Sequence, residues 1–504
     1  MKKLFYVGIC LLGIVPAGCS GDEPEPALPD PELTLSPDAP IAFTAAGGSV
    51  AIAIETNLES WTAQSDRTWC KVSREEDRLI VSAEANAAAE PMPAAAVTVT
   101  ATDGTRTLCR TLQATQEAGE ASAVDLSSGG TANCYLITSG GDYRFDATVR
   151  GNGATTEGLE APAPLSGTAA ALVWQTAPDM ISGLSLDEGQ IRFTIADQPG
   201  SALIAVCNDA GEILWSWHIW YPRTEVAGIG SKTGYDVMNL NLGALTADAG
   251  NVESYGMLYQ WGRKDPLPAS PTPTGDTSTV GAPLYDTAGN EVKIANSPWS
   301  DTEANTLEYA IAHPTVCLSN YAQYGTSHDW LKAGSGNDAL WGNPKGYEKD
   351  DENLLPNKGA KSFYDPCPVG WRVPPADVFR TFTSSGGYSW TIDDFDLYDT
   401  NGDGMLSLGD YACGWIFNVG ESTPSYFPAA ARYDGSYAML MGSMSGLWGN
   451  YWGNCPYESS MFDGAAYAVL SFQIKDMYGN EMITVSPAAA GSRADAYSVR
   501  CIRE

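Results

Sequence analysis

Residues 213–220 read Ile213-Leu-Trp-Ser-Trp-His-Ile-Trp220 and alternate strictly. Leu214, Ser216, His218 and Trp220 fall on one face of a strand, and Ile213, Trp215, Trp217 and Ile219 on the other. With aromatic side chains on both faces, the strand has no side to give to water. It is expected to be buried between two layers or to lie at a domain junction. Working outward, Tyr143-Arg-Phe-Asp-Ala-Thr-Val149 and Ile191-Arg-Phe-Thr-Ile195 alternate in the same way. Together with Thr131-Ala-Asn-Cys-Tyr135 they predict a β-sandwich over residues 122–225. His218, a lone histidine among tryptophans, is expected as a hydrogen-bonded core residue rather than a metal ligand.

On the N-terminal side, residues 33–118 carry further short alternating runs: Ser49–Glu55, Leu79–Ser82, Val97–Thr100 and Thr107–Leu112. Gly47-Gly48 and Asp103-Gly104 punctuate them, the second being a hairpin-turn signal. This spacing predicts a small antiparallel sandwich. The run Trp61-Thr-Ala-Gln-Ser-Asp-Arg-Thr-Trp69-Cys-Lys-Val72, closing on Gln113-Ala-Thr-Gln116, resembles the BACON domain. That resemblance implies an immunoglobulin-like module of Bacteroidetes surface proteins, with at most a binding or spacer role. Trp61 and Trp69 are expected in its core, since a small sandwich offers few other places for them. The 122–225 segment looks like one that often precedes the next domain in such proteins.

The chain has 504 residues, with 28 Lys and Arg against 61 Asp and Glu, a net charge of −33. One core rarely grows past ~250–300 residues, so two to four domains are expected. A hydrophobic content of 44% excludes global disorder. The acidic excess argues against a nucleic-acid partner, whose phosphates need clustered Lys and Arg. At the start, Met1-Lys-Lys-Leu-Phe-Tyr-Val-Gly-Ile-Cys-Leu-Leu-Gly-Ile-Val-Pro-Ala-Gly-Cys19 joins a basic pair to an apolar stretch too short to span a bilayer. Ala17-Gly18-Cys19 resembles a bacterial lipobox, which implies a signal peptide over residues 1–18 and lipidation of Cys19. An ordinary secretory peptide cleaved nearby is the other reading, and both export the chain. Residues 19–32 form an acidic, proline-rich tether. Its thirteen residues from Ser20 to Glu32 reach ~40 Å at ~3.1 Å each in polyproline II. The acids after Cys19 resemble the export signal of Bacteroidetes surface lipoproteins, so the expected location is the outer face of the outer membrane, held by a lipid anchor.

Residues 228–504 are rich in glycine and aromatics. Five motifs run in order: Tyr235-Asp-Val-Met-Asn-Leu-Asn-Leu-Gly-Ala244, Tyr259-Gln-Trp-Gly-Arg-Lys-Asp-Pro266, Tyr364-Asp-Pro-Cys-Pro-Val-Gly-Trp-Arg-Val-Pro374, Gly449-Asn-Tyr-Trp452 and Ser498-Val-Arg-Cys-Ile-Arg503. The series resembles the Fibrobacter succinogenes major paralogous domain, related to the C-type lectin-like fold. The resemblance implies that the Cys-Pro-x-Gly-Trp turn leads into a helix. Residues 375–383 suit one, with proline near the first turn and Val378, Phe379 and Phe382 on one face. The expected fold class is thus multidomain: two all-β immunoglobulin-like sandwiches followed by an α+β C-type-lectin-like domain.

Eleven cysteines less Cys10 and Cys19 leave nine in the folded part, and an odd number leaves at least one thiol unpaired. The fold resemblance implies a Cys367–Cys501 disulfide. Cys413–Cys455 and Cys70–Cys109 are further candidate pairs, and buried free thiols are the alternative for all of them. Asp399-Thr-Asn-Gly-Asp-Gly-Met-Leu-Ser-Leu-Gly-Asp410 places oxygens at calcium-loop positions: Asp399, Asn401, Asp403, the Met405 carbonyl, Ser407 and Asp410, with Gly404 at the sharp turn. Structural Ca²⁺ is expected there, and a solvated hairpin turn is the alternative. Asp393, Asp394 and Asp396, just upstream, read as a solvated acidic face.

Only three histidines occur, and neither His-Glu-x-x-His nor Gly-x-Ser-x-Gly is present. The Glu-Pro-Asn or Gln-Pro-Asp and Trp-Asn-Asp signatures of calcium-dependent sugar-binding lectins are also absent. The expectation is a non-enzymatic surface lipoprotein whose lectin-like head binds a glycan or a host or cell-surface ligand, with Trp448, Tyr451 and Trp452 as a stacking platform or as core. The alternatives are a structural assembly role, as a fimbrial tip partnered by fimbrial subunits, and a polysaccharide hydrolase.

Overall fold

Alternation in residues 33–118 produces eight strands in two four-stranded sheets. The first sheet orders Leu33–Ser36, Gly48–Thr56, Arg78–Ala83 and Cys70–Glu75; the second orders Ile41–Phe43, Thr107–Gln116, Met92–Thr102 and Ser60–Ser65. Inward residues of both, among them Ile52, Ile54, Leu79, Val97, Val99 and Leu112, form one core with Trp61, an immunoglobulin-like sandwich. At Asp103-Gly104, glycine takes φ +88°, and the Asp103 carboxylate accepts the amides of Thr105 (3.0 Å) and Arg106 (2.8 Å). Trp69 is only half-buried, donating to the Pro93 carbonyl at 3.0 Å and standing edge-on to Phe43. The backbone of residues 30–32 is pinned: Asn57 donates to the Asp30 carbonyl and accepts from the Glu32 amide.

This computed structural model describes residues 29–88, 90–119, 123–273, 279–297, 304–320, 328–332, 337–350, 353–356, 358–384, 392–420, 423–459, 462–475 and 479–504. The chain forms two compact units, Met1–Ser122 and Ala123–Glu504. Cys10, Cys19, the expected signal peptide and most of the expected tether lie outside the described residues.

In the second unit, Ile213–Tyr221 is a strand buried on both faces, next to Gly200–Cys207. One face meets a four-stranded sheet containing Gly141–Asp146 and Gln190–Ile195, with the Trp217 ring 5.1 Å from Phe145. The other face meets the C-terminal part of the chain. There Trp220 donates to the Ala244 carbonyl at 2.8 Å, and the His218 ring lies between Ser201 Oγ at Nε2 (3.0 Å) and Tyr259 Oη at Nδ1 (3.3 Å). The strand is therefore both interlayer and junction. Residues 122–225 and 228–504, expected as two domains, fold as one unit, for two reasons. Strands Leu284–Tyr285 and Glu291–Val292 extend the sheet beyond Ala169–Gln175, and a single core runs from Cys134 to Cys501.

The five motifs converge. The Arg500 guanidinium donates to Asn241 Oδ1 (2.8 Å) and the Tyr426 carbonyl (2.6 Å) and lies 4.0 Å over Phe427; Asn241 in turn donates to Tyr451 Oη (3.2 Å). Cys367 and Cys501 form a disulfide. Asp365 organises the turn before it: its carboxylate accepts the amides of Cys367 and Val373, both at 2.8 Å, and the Lys361 ammonium at 2.9 Å. Lys361 also donates to the Cys367 and Trp371 carbonyls, so this buried ion pair is fully hydrogen-bonded.

Residues 376–382 form the expected helix as a 3₁₀ helix, with Val378, Phe379 and Phe382 buried together as the pattern required, and two other expectations change. The unit is nearly all-β, Leu307–Ala312 being the one α-helix among the described residues. Of the candidate disulfides only Cys367–Cys501 exists, and Cys70, Cys109, Cys413 and Cys455 are free. Cys70 points into the sandwich core while Cys109 sits exposed on the other sheet, beside Thr100. Cys455 is buried against the Asn343 amide, and Cys413 lies partly exposed at the start of the Gly414–Asn418 strand.

Candidate functional site

The Asp399–Asp410 loop curls around its own main chain. Asp399 accepts the amides of Gly402 (2.7 Å) and Gly404 (2.8 Å), Asn401 that of Asp403, and Asp403 that of Met405. Asp410 accepts from the Ser407 amide and from the Thr400 hydroxyl and amide, which holds its carboxyl below the usual range. The sequence donors thus share one loop. Among the described residues, however, no three His, Cys, Asp or Glu side chains gather to hold a metal. The donor set is all hard oxygen, as Ca²⁺ requires, and the carboxylates are engaged with amides. Upstream, Asp396 pairs with Lys232 and accepts from Asn418 at 2.8 Å.

The aromatic platform is core. Tyr451 and Trp452 are both 0% exposed. Trp452 stacks on Tyr497 at 4.2 Å and donates to the Tyr259 carbonyl, while Tyr451 donates to the Pro428 carbonyl at 2.7 Å. Neither ring has a face left for a sugar. Trp448 is half-buried, its Nε1 bonded to the Lys475 carbonyl at 2.8 Å.

A different place offers space. Between the loop after Gly141–Asp146, the start of Ile213–Tyr221 and the helix Leu307–Ala312 lies a groove of about 670 Å³. Thr306 caps this helix by accepting the Tyr309 amide at 3.1 Å. One turn apart, Leu307 and Ile311 line the groove together. Leu159 and Leu214 add aliphatic surface, while Arg150, Glu160, Glu308 and Tyr364 add polar groups. Beneath it, Lys264 is buried and donates to Asp265 Oδ1 and Ser216 Oγ, both at 2.6 Å, with its ammonium 4.6 Å from the Trp215 ring. Burial pushes this ammonium below its ordinary value against the pull of Asp265. The Tyr364 hydroxyl is pushed up to about 12, chiefly by burial, with Arg150 opposing and Glu308 adding to the rise.

Sequence reasoning missed this groove. Arg263-Lys264-Asp265 stood inside a recognised motif, but nothing in the spacing tied it to Arg150, more than a hundred residues earlier. The available signal was two adjacent cations in an acid-rich chain.

No family model matches the chain, and no curated protein does. Solved structures with some likeness include a chimeric titin Z1Z2 (14% identity over 18% of this chain and 94% of that one, TM-score 0.14). The endo-fucoidan hydrolase MfFcnA4 from glycoside hydrolase family 107 shares 14% identity over 38% of this chain, at a TM-score of 0.15, and this chain spans 28% of its length. Drosophila N-cadherin EC1-4 shares 8% over 38% of this chain and 49% of that one, at 0.17. At such TM-scores these likenesses carry no argument about what the chain does.

Proposed function

We propose that the protein is a non-enzymatic lipoprotein, anchored through Cys19 to the outer membrane and displayed at the cell surface. Its C-terminal unit, which the motif series likens to a C-type lectin, binds a glycan in an adhesive role. The observation that carries this reading is the groove between Arg150 and the helix Leu307–Ala312. At about 670 Å³ it falls within the range of small-molecule sites, and it combines aliphatic walls with a few convergent polar groups. The groove replaces the Trp448–Trp452 segment as the expected binding face. The test is a glycan array probed with the mature chain and with Ala161→Trp, which fills the groove mouth from an exposed position. Binding lost in this variant supports the reading. Binding unaffected by it, or release of reducing ends from a polysaccharide, defeats it.

Structural calcium at the Asp399–Asp410 loop belongs to the same proposal. Asp399, Asn401, Asp403, Ser407, Asp410 and the Met405 carbonyl would hold the ion, and it would offset three carboxylates on a short loop. Calorimetry on the mature chain checks it: no heat with Ca²⁺ and no change in Tm with chelator would remove the ion.

A further inference from the structure

We propose that Arg150 makes the groove selective for an anionic saccharide, one whose ring carries a carboxylate or a sulfate ester. This rests on the glycan-binding reading above and names the ligand's chemistry. Among the described residues no acid lies within ion-pair distance of Arg150, and its Nε is buried without a hydrogen-bond partner. Its guanidinium carbon lies 5.4 Å from the Trp215 ring, which supports it from behind. The neighbouring cations are committed. Lys264 is held by Asp265 and Ser216, and Arg263 by Gln260 Oε1 at 2.8 Å and the Val316 carbonyl at 2.7 Å.

A guanidinium presents a planar fork of N–H donors that matches two oxygens of one oxyanion. The unused donors of Arg150 fit one carboxylate or sulfate. Glu160 and Glu308 are exposed on the groove walls. They repel a second anion and accept hydrogen bonds from hydroxyls, so the fitting ligand carries one charge and several hydroxyls. Leu159, Leu214 and Ile311 supply apolar surface for the C–H face of a ring.

Calorimetric titration of the mature chain with galactose, galacturonate and galactose 6-sulfate oligosaccharides of equal length tests this. The acidic ligands should bind about 10-fold or more tighter than the neutral one, and the preference should shrink with salt. Arg150→Gln should bring the acid-to-neutral affinity ratio to about one, and Arg150→Lys, which keeps the charge without the fork, should restore only part of the preference. Ala161→Trp should abolish binding of all three. Preference for uronate alone or for sulfate alone supports the inference and identifies the source. Equal binding of acid and neutral ligands, or a preference that survives Arg150→Gln, overturns the anion assignment and leaves the glycan reading standing. No saccharide binding at all overturns both. If Arg150→Gln fails to fold, the acid-to-neutral ratio of the unmodified chain and its salt dependence decide the matter.

Discussion

Reducing the Cys367–Cys501 disulfide tests the physical account of the C-terminal unit most directly. The two cysteines are separated by 134 residues. In the chain-entropy model a loop of that size, once closed, destabilises the unfolded ensemble by about 5 kcal/mol at 25 °C, and natural disulfides commonly deliver roughly 2–5. The native state gains little strain relief when the bond is cut, because other contacts hold both ends. Cys367 is fixed by Asp365, Val237 pairs with Ile502, and the Met238 amide donates to the Cys501 carbonyl at 2.9 Å. The loss should therefore show mainly as easier unfolding. Comparing oxidised and reduced wild-type protein avoids the cavity that a substitution would leave. With a urea m-value of about 3 kcal/mol/M, a loss of about 4 kcal/mol lowers the midpoint by roughly 1.3 M. Tryptophan fluorescence reports it, since most tryptophans lie in this unit. Both cysteines are 0% exposed, so reduction should also require unfolding. A midpoint shift below roughly 0.3 M would refute the reasoning, because it would mean that the unfolded chain is already held together without the bond.

Asp365→Asn should destabilise the same unit by about 3–5 kcal/mol, measured by urea melts, because Lys361 is left buried without its counter-charge. Trp452→Ala should cost about 3–5 kcal/mol by opening a cavity against Tyr497 and Trp341. At a temperature where the variant remains folded, groove binding should persist; selective loss of binding with unchanged stability would restore the platform idea. Burial lowers the His218 pKa from 6.5 to about 3. The neutral ring's contribution is complete above pH 6.5 and falls by up to about 1.4 kcal/mol per pH unit as pH drops towards 3. A His218→Gln variant should lose that part of the acid sensitivity, and an unchanged pH–stability profile would show that His218 plays no part in it.

Much of the fold was legible because alternation reports burial directly. Ile213–Trp220 carried aromatics on both faces, and both faces are buried. Local pattern also placed the Asp103-Gly104 hairpin and put Val378, Phe379 and Phe382 on one buried face. The type of turn over 376–382 was less legible, since 3₁₀ and α spacing differ by a fraction of a residue. Trp452 failed as a site for a related reason: composition marks a tryptophan as a good ligand platform and as good core in equal measure, and only neighbours such as Tyr497 separate the two.

By itself the sequence determined what depends on nearby residues: strand periodicity, turns and the acidic excess. The Cys367–Cys501 link came only through a resemblance. The tertiary structure decided which distant segments meet. It merged residues 122–225 with 228–504 by adding Leu284–Tyr285 to the sheet, refused two disulfides by placing their thiols apart, and brought Arg150, Glu308 and Tyr364 to one groove. The physical reason is that periodicity records only whether a side chain is buried, whereas a binding site depends on which buried or half-buried groups face one another.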